Sequence, residues 1–346
     1  MKFVRNPWHS RHAPSTFLSR GRVVASPERP ERAAVLEAAA LRLGLEPVDA
    51  RRFGDEAILA VHTRDYLDFL ATAYSRWREL EDAGPEVVPN VHPVRETASR
   101  PAHPVGLAGW YMADTACPIG PGTFEAALGS AYSALTAAEL LQAGEDAVYA
   151  LCRPPGHHAA ADRAGGFCYL NNTAIAAAWL AARRGRVAVL DIDVHHGNGT
   201  QAIFWRSPSV LTLSIHVDPT VFYPFYSGYA HELGEGEGKG TNRNLPLPLG
   251  SGDGPWLVAL DEALAILGTF APAVVVVALG LDVHEEDPFR AMRVTCAGLA
   301  EAGRRIGRLP QPMLLVQEGG YPQAGLGRSL EAFLAGFRDG RRERQD

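Results

Sequence analysis

VAVLDIDVHHGNGT, residues 187–200, opens with four apolar residues and turns abruptly polar at Asp191. A short apolar run without strict alternation reads as a parallel strand buried on both faces. Asp191, Asp193, His195 and His196 then crowd its carboxyl end. The same pattern recurs along the chain. Ala147–Cys152 leads into RPPGHH (153–158), and Val210–Ile215 carries Ser214 and ends at His216. Ala273–Leu279 leads into Gly280, Leu281 and Asp282, and Met313–Val316 into Glu318, Gly319, Gly320 and Tyr321. Helical patterns lie between and around these runs: Pro30–Leu43, Thr63–Arg78, Phe124–Leu141, Asn172–Arg183, Trp256–Phe270, Thr295–Ile306 and Leu326–Phe337. Strands alternating with helices define an α/β fold, three layers α/β/α around a central parallel sheet. We expect residues 1–346 to form a single domain of this kind.

Composition narrows the function. Against 39 acidic residues the 33 Lys and Arg leave a net charge of −6, no surplus for gripping a phosphate backbone, so no nucleic-acid partner is expected. No stretch reaches the length of a membrane span and the N-terminus carries no signal-like apolar run, so the expected compartment is the cytoplasm, with no membrane partner. Cys117, Cys152, Cys168 and Cys296 form no C-x-x-C pair, which excludes a disulfide framework or zinc knuckle. From about residue 82 to 121 the chain is proline-rich and without a clear period, the pattern of a long ordered loop lining a site or an interface. GEGEGKG (234–240) is no phosphate-binding loop, because Gly240 follows Lys239 where Ser or Thr is required; a flexible connection is expected.

In a parallel sheet all strand carboxyl ends share one edge, where open α/β folds bind ligands. The polar bursts therefore converge. Asp193 and His195, two apart just past a strand, can point the same way, and Asp282 from another strand end completes two carboxylates and one imidazole. Such a set suits a divalent ion such as Zn²⁺ with positions left open for water and substrate. Bound Zn²⁺ lowers the pKa of water from about 15.7 to about 7. His157 and His158 then offer acid–base help, oriented by Asp191 and Asn198, and Tyr321 a donor to a developing oxyanion.

RPPGHHA (153–159), GGFCYLNN (165–172), DIDVHHGNGTQ (191–201), GLDVHEEDP (280–288) and EGGY (318–321) together resemble the histone deacetylase superfamily, of the arginase-deacetylase fold. Asn198 within HHGNGTQ is similar to the class II and bacterial branch, and the 82–121 segment to acetylpolyamine amidohydrolases, where it narrows the active site and helps make a dimer. The resemblance implies a zinc-dependent amidohydrolase of a small N-acetylated amine, with Zn²⁺ on Asp193, His195 and Asp282. It implies His158 as general acid/base, His157 paired with Asp191 as electrostatic helper, and Tyr321 polarising the carbonyl. Gly166, Phe167 and Tyr223 would wall a substrate tunnel. A structural K⁺ is implied near Asp191, Ser214 and the backbone of Asp193 and His195. The implied assembly is a homodimer.

Polyamine-specific relatives carry acids in the N-terminal and long loops that attract the distal ammonium. Phe17 and Val105 stand at those positions here, with Glu96, Asp114 and Glu286 as acids that could compensate. A charged hydrogen bond contributes about 1.5–3 kcal/mol, so each loss disfavours a cationic substrate by roughly tenfold to a hundredfold. Acetyllysine or a neutral small amide is the alternative substrate. A two-metal, arginase-like ureohydrolase is disfavoured by the Asp-x-Asp-x-His-His string with Tyr321. A non-catalytic binding module is disfavoured because every implied ligand and proton-transfer group is present.

Overall fold

A computed structural model describes residues 1–344. In chain order the strands are β1 (Lys2–Arg5), β2 (Thr16–Ser19), β3 (Arg22–Ala25), β4 (Glu46–Asp49), β5 (Ala147–Leu151), β6 (Val187–Asp191), β7 (Val210–Val217), β8 (Asn242–Leu247), β9 (Val274–Leu279) and β10 (Met313–Gln317). The helices are α1 (Glu31–Arg42), α2 (Glu56–Leu59), α3 (Arg64–Trp77), α4 (Pro104–Tyr111), α5 (Thr123–Gln142), α6 (Asn172–Arg184), α7 (Asn198–Phe204), α8 (Asp253–Phe270), α9 (Cys296–Gly307) and α10 (Leu326–Glu343). Eight strands form one sheet in the order β4-β1-β5-β10-β9-β6-β7-β8, with every pairing parallel. β2 and β3 make a separate antiparallel hairpin.

The five strands read from the sequence are the five adjacent central ones, and every one of their residues is buried. Alternate residues of each strand face opposite layers. Val187, Val189, Val274 and Val276 join a core with α3, α5 and α6, whereas Ala188, Leu190, Val275 and Val277 join a second core with α1, α8, α9 and α10. That is the expected three-layer α/β/α arrangement, with a core on each face of the sheet.

Several elements differ from the expectation. β1 and β4 are short outer strands punctuated by charges, and β8 is an edge strand carrying Pro246, so none shows an apolar run. The 82–121 segment is not wholly loop. Pro104 opens α4 at the first helical position, His103 caps it, and its two glycines leave no amphipathic period to read. Val105 is the second residue of this helix and packs, partly buried, against the core that holds Leu107 and Tyr111. The glycine-rich run is an ordered turn, with Gly238 donating to the Glu235 carbonyl and Gly240 to that of Leu233. No helix among the described residues is long and apolar enough to cross a membrane.

Candidate active site

Asp193 and His195 leave the end of β6 on alternate residues, and Asp282 follows β9, the neighbouring strand. Ligand atoms of the three side chains lie within 4.8 Å of one another, all buried. His195 Nδ1 stands 3.1 Å from Asp193 Oδ1 and 3.2 Å from Asp282 Oδ2. Backbone N–H groups orient the carboxylates: His195 and Gly319 donate to Asp193, and Val194 donates to Asp282 Oδ1. Asp282 Oδ2 is buried without a hydrogen-bond partner. Burial and the neighbouring Asp193 charge push the Asp282 carboxyl up, while the two carboxylates, opposing burial, hold His195 up at about 9. Such a cluster is suited to a cation.

Two imidazoles flank it and differ in character. His157 Nδ1 donates to Asp191 Oδ2 at 2.9 Å, and its Nε2 lies 3.8 Å from Asp193. Against the opposing effect of burial, these carboxylates hold His157 protonated, raising it to about 10. His158 Nδ1 faces the Asn198 amide oxygen at 2.7 Å. Burial and the neighbouring His157 and His195 charges keep His158 well below the usual range. One imidazole is a fixed charge and the other a neutral base. Glu318 holds the His157 backbone by accepting from the N–H groups of Gly156 and His157, at 2.6 and 3.0 Å.

Tyr321 follows Gly320, whose φ of +109° is open only to glycine at little cost. Asp287 accepts the Tyr321 N–H at 3.1 Å, and Arg32 donates to the carbonyls of Glu318 and Gly320 while its guanidinium lies 4.9 Å from the Tyr321 ring centroid. Glu28, buried between Arg32 and Arg153 at 2.8 and 2.9 Å, ties this loop to the start of the RPPGHH string. The Tyr321 hydroxyl has no hydrogen-bond partner among the described residues.

Aromatic side chains surround these groups. Phe167 lies edge-on to Phe17 at 5.4 Å and to Tyr321 at 5.6 Å. Tyr223 stands perpendicular to His158 at 5.0 Å. A Cβ on Gly166 would come within 2.5 Å of the His158 ring, so glycine is needed for close approach. The structure thus gathers the expected Asp191, Asp193, His195, Asn198, His157, His158, Asp282, Tyr321, Gly166, Phe167, Tyr223 and Phe17, while Val105 packs partly buried against the core beside α4. Ser214 pairs with Asp191 across β6 and β7, and both line a small internal polar pocket with Gln201 and Asn244.

Sequence reasoning missed Phe222, stacked on His195 at 5.0 Å, and Phe289, 5.3 Å from His195 and 5.1 Å from Tyr321. Arg32, Glu28 and Asp287 were missed too. Phe289 lies two residues past Asp287 in the same loop as Asp282, and that proximity was the available signal.

Buried carboxylates and an imidazole able to hold a metal, beside a neutral base and a tyrosine, define the site of a hydrolase. Comparison with known proteins makes the class specific. A model of the histone deacetylase domain matches residues 26–337. An acetylpolyamine amidohydrolase of Burkholderia pseudomallei (strain 1710b) is 47% identical over 333 residues, covering 96% of this chain and 97% of the relative. Acetylpolyamine amidohydrolase 1 of Pseudomonas aeruginosa is 42% identical, covering 95% and 96%. A crystal structure of acetylpolyamine aminohydrolase from Burkholderia pseudomallei superposes with a TM-score of 0.96 at 46% identity, covering 98% and 99%. The chain belongs to the histone deacetylase family. It is an amide hydrolase of the deacetylase type.

Proposed function

We propose that residues 1–346 form one catalytic domain, a zinc-dependent amidohydrolase that removes acetyl from slender amines, acetylpolyamines foremost. The observation that carries this reading is the Asp193–His195–Asp282 cluster, with His158, His157 and Tyr321 around it and aromatic walls above. Its near full-length likeness to acetylpolyamine amidohydrolases supports the substrate class. Two oxygens and one nitrogen, with a buried unpartnered oxygen on Asp282, fit a resident Zn²⁺. When bound, that ion supplies Lewis acidity and lowers the pKa of water.

The chain's own residues do the rest. With its Nδ1 proton given to Asn198, His158 presents a free Nε2 lone pair that takes a proton from the attacking water and passes it to the departing nitrogen. Tyr321 donates to the carbonyl oxygen as it gains charge. His157, held charged by Asp191, stabilises the negative charge that develops nearby. Asp191 and Ser214, with the backbone of Asp193 and His195, would hold a structural K⁺ behind the cluster; their side-by-side register and the polar pocket support this. Unpaired cysteines, three of them buried, suit a reducing compartment and hence the cytoplasm.

Phe17 supports a second substrate reading, a neutral amide, because it lines the site with hydrocarbon where a carboxylate would attract a cation. Comparing kcat/KM for N-acetylputrescine with that for a neutral N-alkyl acetamide of equal length decides between them. A preference for the cation of about two- to thirtyfold is expected, since aromatic faces contribute about 0.5–2 kcal/mol to a cation. Preference for the neutral amide would end the polyamine reading and leave the hydrolase. The assembly proposed is a homodimer through the 82–121 segment, supported by Val91 and Val94, exposed at 53% and 70%. Sedimentation of the full chain should give twice the chain mass; a single-chain mass at micromolar concentration excludes it.

A further inference from the structure

Asp114 lies just past α4, where the 82–121 segment returns to the body of the protein. Its carboxylate accepts from four backbone and side-chain donors, one of them the Cys117 thiol, 3.7 Å from Oδ1. Tyr223 donates its hydroxyl to Oδ2 at 2.6 Å, Gly166 donates its N–H to the same oxygen at 3.1 Å, and Ala116 donates its N–H to Oδ1 at 2.8 Å. Hydrogen bonds to an ionised acceptor are roughly twice as strong as neutral ones.

Two of these donors belong to separate walls of the active site. Gly166 precedes Phe167, whose φ of +68° is costly for a side chain of that size and turns the ring toward Phe17 and Tyr321. Tyr223 comes from the loop after β7 and stands against His158 and His195, at 5.0 and 6.0 Å. A Cβ on Gly166 would lie 2.9 Å from the Tyr223 hydroxyl, so the walls already touch at the point where Asp114 joins them.

We infer that Asp114 is a positioning residue: its carboxylate clamps the Gly166–Phe167 wall to the Tyr223 wall and so sets how broad a substrate reaches the site. This rests on the amide-hydrolase reading above. Asp114 does not serve as the reader of a distal ammonium. A carboxylate has about four acceptor positions, and four donors already engage this one. Phenylalanine at 223 would keep the ring and lose the clamp.

The test uses Asp114→Ala and Tyr223→Phe in the full, zinc-loaded chain. The substrates are a linear N-acetyl diamine and its analogue with a methyl branch on the carbon next to the amide nitrogen. Each variant should raise the branched-to-linear ratio of kcat/KM about tenfold. KM for the linear amide should rise several-fold with kcat within about threefold. A ratio within twofold of the wild type in Tyr223→Phe, which removes one oxygen and leaves the packing, overturns the proposal even if Asp114→Ala fails to fold. A thermal cycle reads the contact without activity. The Tm losses of Asp114→Asn and Tyr223→Phe should not add in the double variant; full additivity overturns the clamp. Should the wild type hydrolyse neither amide, the hydrolase reading fails, and the thermal cycle alone upholds or overturns the clamp.

Discussion

Asp282→Asn should lower kcat/KM at least about a thousandfold and yet raise the Tm of the metal-free protein at neutral pH. The first effect follows from chemistry worth several kcal/mol when a metal polarises a carbonyl or activates water, about a decade of rate for every 1.36 kcal/mol. Asparagine keeps the oxygen that Val194 N–H binds but removes the charge a zinc ion needs beside Asp193. Zinc content after dialysis should fall in parallel, read by elemental analysis.

The second effect has the opposite sign because the fold holds two carboxylates together out of water around one imidazole. Burial and Asp193 raise the Asp282 carboxyl above its unfolded value. A raised folded pKa contributes stability that is fully present below the unfolded pKa and is lost as pH rises through the folded one. At neutral pH the metal-free wild type has lost that contribution, and asparagine, which mimics the protonated acid, retains it. The gap between variant and wild type should close toward pH 4. Added zinc should reverse the order, since an ion that binds only the folded wild type stabilises it by mass action. A metal-free variant less stable than metal-free wild type at pH 7 would contradict the view that Asp282 is placed for a cation at the fold's expense.

Most of this site was legible because its residues sit at strand ends, and strand ends in a parallel sheet share an edge. Asp193, His195 and Asp282 needed only their positions after apolar runs to be grouped, and β6 and β9 are indeed neighbours. The residues that escaped act through the backbone or across long sequence separations. Arg32 reaches the Glu318 and Gly320 carbonyls from α1, and nothing in ERPERAAVLEAAALR distinguishes an arginine aimed inward from one on a solvated face. Phe222 and Phe289 look like ordinary core aromatics, and only packing against His195 shows otherwise. β8 was hidden by polar Asn242 and Asn244, which turn toward Gln201 inside the fold. The helix holding Val105 was hidden too, because two glycines and a proline in PVGLAGWY leave no amphipathic period to read.

His158→Ala should cost about 10²–10⁴ in kcat, and Asn198→Asp should move the acid limb of the kcat/KM profile to higher pH. Both follow from the partner of each imidazole. His157 already faces a carboxylate and stays charged to about pH 10, so it has no lone pair to offer in the working range. His158 faces a neutral amide, and burial with the His157 and His195 charges keeps it neutral. A carboxylate at 198 would stand 2.7 Å or so from His158 Nδ1, where the amide oxygen now is. An opposite charge at such range raises an imidazole by roughly 1–3 pH units. At a pH below the new limb His158 would then be protonated and unable to accept from water, so activity there should fall. It should recover as the pH rises past the limb. A profile unchanged in Asn198→Asp would mean that His158 does not set the acid limb. The assignment of the neutral base to His158, and of fixed charge to His157, would then have to be given up.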